Sequence, residues 1–93
     1  MSELENARRV LESDPEPAGA KQVAATIQRL LGSMKNASDS TAAYLALVSA
    51  HGMAGDDLKA CTALHSADRI ARTVAQREVI RAAFASEDLK CVR

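Results

Sequence analysis

From Leu58 to Ala85 the chain runs for twenty-eight residues without a proline or a glycine. Within that run Leu58, Cys61, Leu64, Ala67, Ile70, Ala71, Val74 and Ala75 recur at three- and four-residue steps. Val79, Ile80, Ala83 and Phe84 continue the pattern on a shifted face. This period is that of an amphipathic helix. One unbroken helix here would far exceed the usual ~11–12 residues. A break is therefore expected near His65–Asp68, where Ser66 would cap the second half.

The rest of the chain reads in the same way. Ser2 and Glu5 have capping-box spacing, and Leu4, Ala7, Val10 and Leu11 share a face, so a first helix is expected over 2–13. Asp14 is a good N-cap, and Pro15 and Pro17 suit the first turn of a second helix. Ala20, Val23, Ala24, Ile27, Leu30, Leu31 and Met34 give that second helix a continuous apolar stripe, with Gly32 weakening its last turn. Ser38, Asp39 or Ser40 can cap a third helix, in which every residue from Ala42 to Val48 is apolar. A helix apolar all round is either a buried central helix or one that meets another chain.

These segments predict an all-α fold: a compact bundle of four to five short helices in one domain over residues 1–86, followed by a frayed tail over 87–93. The core of such a bundle is lean. Tyr44 and Phe84 are the only aromatic residues, and alanine buries little area. A chain of 93 residues also buries a modest share of its surface, so self-association is expected to support it. Residues 1–57 hold eight acids and five bases, whereas residues 58–93 hold four acids and seven bases. That mild polarity falls short of the basic footprint of a nucleic-acid binder. The apolar runs are shorter than the ~20 residues of a membrane span. No secretory signal is visible, and two cysteines are not a disulfide framework. A cytoplasmic protein in a reducing compartment is expected.

The stretch Ser49–Lys59, SAHGMAGDDLK, concentrates residues with possible chemistry. His51 and Gly55 stand where a histidine phosphotransfer domain carries its phosphoacceptor and glycine in a pattern like H-x-x-K-G, so these six residues resemble that family. Ala54 replaces the lysine that would stabilise the phosphoryl group. A helix-turn-helix with Gly52 at its corner is a second alternative, and Val48, Met53 and Leu58 fall at suitable apolar positions. Asp56 and Asp57 would then head the recognition helix, where carboxylates repel phosphate. The structural reading gives each residue a plain use: His51 in the last turn of a helix, Gly52 as its C′ residue, and Asp56 or Asp57 as the next N-cap.

Two surfaces are candidates for function. Arg69, Arg77 and Arg81 lie on one line of four-residue steps through Thr73, flanked by Arg72, and this stripe suits phosphate or an acidic protein surface. Asp68 and Glu78 stand at pairing distance from Arg72 and Arg81. Ala43, Tyr44, Leu47 and Ala50 form the second candidate, a small-residue face for pairing with a second copy. Cys61 and His65 are four apart and could be two ligands of a metal, but a structural zinc site wants four. His51 and Cys91 supply no second close-spaced pair, so no metal and no cofactor are expected. The chain carries no Gly-rich phosphate loop and no nucleophile elbow, and no catalytic residue is assigned. The expected function is a non-enzymatic protein-interaction module (an adaptor, regulatory inhibitor or chaperone) that works as a homodimer and docks another protein on a helix face. A small DNA-binding regulator and a degenerate phosphotransfer domain are its alternatives.

Overall fold

A computed structural model of the protein describes Arg9, residues 17–86 and Cys91. The helix expected over 2–13 and the Asp14 cap lie outside the described residues. Within them the chain folds into four α-helices, α1 (Pro17–Leu31), α2 (Ala37–Met53), α3 (Asp57–Ile70) and α4 (Val74–Ala85). The bundle is all-helical, and its radius of gyration, 12.2 Å, is that of a compact globule. No described helix is long and apolar enough to cross a membrane.

Helix α1 buries Ala20, Val23, Ala24 and Ile27 of the expected stripe, while Leu30 and Leu31 are half-buried and Met34, also half-buried, lies beyond the end of the helix. It closes in a tightened turn, where Gly32, Ser33 and Met34 donate to carbonyls three residues back. Asn36, two residues before the first expected cap, starts α2, its Oδ1 accepting from Ser38 N at 2.7 Å and Asp39 N at 3.3 Å. Helix α2 packs against all three other helices, which explains its apolar circumference. The one hydroxyl buried in it, that of Thr41, donates to the Ala37 carbonyl at 2.7 Å. This bond relieves the cost of burying a polar group.

Helix α2 does not stop at Gly52. It runs on through Met53, and Ala54 is its C-cap. Gly55 then takes φ +81°. Gly55 N donates to Gly52 O at 3.1 Å and Asp56 N to His51 O at 2.8 Å. This pair of bonds, with a left-handed glycine between them, is a Schellman motif. Gly55, not Gly52, is therefore the C′ residue, because the reversal needs the positive φ that only glycine adopts cheaply. Asp56 caps α3 as expected, accepting from Lys59 N at 3.1 Å.

The run from Leu58 to Ala85 breaks, but at Ala71–Thr73 and not near His65–Asp68. Ala71 is extended (φ −63°, ψ 133°), and Thr73 caps α4, accepting from Gln76 N at 3.1 Å. Leu64 and Ala67 are fully buried, so α3 must stay helical through the expected break to keep both on one face. The amide of Gln76 donates to Ser38 O at 3.1 Å and ties the start of α4 to the start of α2.

The core has two parts. Ala20, Val23, Ala24 and Ile27 of α1 meet Ala43, Ala46, Leu47 and Ala50 of α2, with Ala63 of α3. Leu64, Ala67 and Ala71 meet Ile80 of α4 and Cys91. Tyr44 and Val48 touch both parts and join them. Of the residues 87–93 expected to fray, Cys91 is described, and it is buried and disulfide-bonded to Cys61.

Candidate functional site

The four arginines singled out in the sequence, Arg69, Arg72, Arg77 and Arg81, are all exposed. They do not form one helical line. Arg69 is in the last turn of α3, Arg72 is in the connection, and Arg77 and Arg81 are on α4. The continuous stripe assumed a helix running through Thr73, and Thr73 is where the new helix begins. Arg81 pairs with Glu78 at 3.4 Å, as the spacing predicted. Arg72 lies past the end of α3, which interrupts the helical spacing from Asp68.

Helix α4 has an unusual distribution of side chains. Ile80 is its one buried residue. Val74 is 77% exposed and Val79 is 53% exposed. Ala75 and Ala82 are exposed as well, and with Val79 they follow steps of four and three residues along one side. An apolar stripe thus faces outward, with Glu78 beside it and Arg77 and Arg81 beyond. The outward spacing of Ala75, Val79 and Ala82 was legible in the sequence, but it was submerged in the pattern of a longer helix.

The small-residue face of α2 is internal. Ala43 and Ala50 are 0% exposed and Leu47 is 1% exposed, all packed within a single chain, while Tyr44 is half-buried between the two parts of the core. The alanines that could let a second copy approach closely instead let α1 and α3 approach α2. A homodimer through Ala43, Tyr44, Leu47 and Ala50 would require the core to open. Self-association was expected there because the chain is short and poor in aromatic residues, and in the fold three helices cover the apolar run of α2.

His51 is buried at the end of α2, only 8% exposed. Burial pushes its pKa below the ordinary value of 6.5; the carboxylate of Asp56 opposes the shift and Lys59 adds to it. Phosphoryl transfer needs an accessible imidazole, and this one is packed. The helix-turn-helix geometry also changes, since the corner lies at Ala54–Asp56 and Gly52 is helical. His51 borders a cleft of about 660 Å³ that opens where α1 and α3 lean apart over α2, with Lys21 and Gln28 on one wall and Lys59 and Thr62 on the other. Lys59 is held by Asp56 at 3.7 Å at the rim.

The feature the sequence did not reveal starts from the second turn of α3. Cys61 and Cys91, thirty residues apart, form a disulfide with a Cα–Cα distance of 5.5 Å. His65 lies one turn beyond Cys61, and its ring meets that of Phe84 edge-on at 5.1 Å between centroids. Spacing alone could not pair Cys91 with Cys61, because the pairing depends on how the chain after α4 returns to α3. Among known proteins, no family model, no curated protein and no solved structure matches this chain.

Proposed function

We propose that this chain is a non-enzymatic protein-interaction module that docks an acidic amphipathic helix of another protein on α4. The observation that carries the reading is the outward apolar stripe of Ala75, Val79 and Ala82, with Val79 53% exposed. Burial of such a stripe supplies affinity. Arg77 and Arg81 share another side of α4, turned away from Val79, and with Arg72 at the foot of the helix their charge supplies orientation toward carboxylates. Among the described residues no ion pair engages Arg72 or Arg77. Their charge is thus available to a partner. Because the α2 face is internal, the proposed partner is a different protein. A cytoplasmic setting belongs to the same proposal, and there the Cys61–Cys91 bond is exposed to reduction.

The test compares tagged wild-type protein with the triple variant Arg72→Glu, Arg77→Glu, Arg81→Glu in capture from the source cells. The triple variant should lose a protein that the wild type retains, with unchanged helicity by circular dichroism. Val79→Asp should lose the same protein. An identical set of captured proteins for all three would overturn the reading and leave the arginines as a solvated face.

A further inference from the structure

We propose that, once the Cys61–Cys91 disulfide is reduced, Cys61, His65 and Cys91 form a three-ligand site for Zn²⁺, so that one cross-link exchanges between a disulfide and a metal. The inference does not depend on the docking surface of α4. It rests on where the fold brings three ligand-bearing residues together. One ligand atom from each of the three lies within 4.8 Å of the others. Ligand atoms around a tetrahedral zinc stand about 3.8 Å apart for Zn–S bonds of about 2.3 Å. The cluster therefore needs a small adjustment of side chains, with the thiolates moving apart and His65 closing in.

The surroundings fit this use. Cys61 and His65 are one helical turn apart on α3, so the helix fixes two ligands on one face. Cys91 approaches from another part of the chain and is buried, with its Sγ 3.9 Å from the Cys61 carbonyl oxygen. Leu64, Ala67 and Ile80 pack beside the sulfurs and keep water from one side. The imidazole is exposed, and Phe84 holds its ring edge-on. Two thiolates and an imidazole are a donor set suited to zinc, and the exposed side leaves the fourth position to water.

The exchange balances as follows. A dithiol reductant gives two electrons and two protons to the Cys61–Cys91 bond and becomes a disulfide itself. The two resulting thiols release two protons to solvent when they bind Zn²⁺ as thiolates, and neutral His65 gives a nitrogen lone pair. Two thiolates neutralise the charge of the ion. A disulfide oxidant reverses the sequence: it takes two electrons from the thiolates, is itself reduced to thiols, and the S–S bond re-forms with release of Zn²⁺. Residue 91 remains tied to α3 in either state.

The experiment titrates the full chain with Co²⁺, a spectroscopic stand-in for zinc, after anaerobic reduction and removal of the reductant. One Co²⁺ per chain should bind, with a thiolate-to-cobalt charge-transfer band that Zn²⁺ abolishes in competition. Oxidised protein should give no band. His65→Ala keeps the disulfide and so folds before reduction. After reduction it should bind at least about tenfold more weakly, since loss of a ligand costs no less than loss of a group that merely supports one. Circular dichroism recorded in the same titration covers the case in which reduction loosens the fold, because metal-driven recovery of helicity then reports binding. No charge-transfer band, one metal per two chains, or equal affinity in His65→Ala would each overturn the proposal.

Discussion

Two glycines three residues apart, Gly52 and Gly55, should respond to alanine in opposite directions. Gly52 is helical, exposed and has nothing within 4 Å of an added Cβ. Alanine there should stabilise the protein by up to about 1 kcal/mol. Gly55 also has open space, but its φ of +81° strains any other residue. Alanine there should destabilise by about 1–2 kcal/mol. Chemical denaturation of both variants checks the pair, and opposite signs to these would move the end of α2 back to His51. The nearby Asn36→Ala should cost about 1 kcal/mol through loss of the α2 cap. His51 adds a pH dependence. Its folded pKa is depressed, so the unfolded chain binds the proton more readily. The stability it contributes is full above the ordinary value of 6.5 and is lost as pH falls from there toward the lowered folded value. Melting curves between about pH 5 and 8 should show this fall in the wild type and a smaller one in His51→Gln. Asp56 as a cap was legible in the sequence because a short carboxylate before a helical run has one common use. Gly55 was not, since two glycines were available and only the bonding of the whole turn selects between them.

Among the elements, α4 is the least embedded and α2 the most. Helix α4 buries Ile80 alone, whereas α2 buries Thr41, Ala43, Ala46, Leu47, Ala50 and His51. Amide exchange should therefore be fastest in α4 and slowest in α2, measured on the native protein. Comparable protection in both helices would contradict the packing described. Ile80→Ala should cost about 2–5 kcal/mol despite the exposure of the rest of the helix, because Ile80 is the side chain that seats α4 on the second part of the core. The helical character of α1, α3 and α4 was legible from their spacing, and that of α2 from its alanine-rich composition and capping residues. The break at Ala71–Thr73 was not, because threonine caps are weaker signals than glycine or proline and Ser66 offered an equally good cap. That error had a consequence for the site, since the arginines were read as one line when they belong to a helix end, a connection and a second helix. The outward stripe of α4 becomes visible only when its own frame starts at Val74.

At the scale of the whole molecule, small residues carry the fold. Among the described residues nine of the fifteen buried apolar side chains are alanine, so helices approach closely but each contact buries little area. The lean core was legible in the composition, and the expected remedy was a second copy of the chain. Among the described residues the remedy is covalent. A bond between residues 61 and 91 closes a loop whose entropy accounts for roughly 3–4 kcal/mol of stability. Reduction should lower the denaturation midpoint accordingly, and an unchanged midpoint would show that Cys91 is not part of the folded unit. The surface reading is tested most directly by placing a photo-crosslinking residue at Val79, on the outward stripe of α4, and in parallel at Lys35, an exposed position between α1 and α2. In the source cells position 79 should cross-link to another protein, and Arg77→Glu with Arg81→Glu should remove that product, while position 35 should not form it. The account is contradicted if position 79 yields no product, or the same product as position 35, or one that survives the charge reversal.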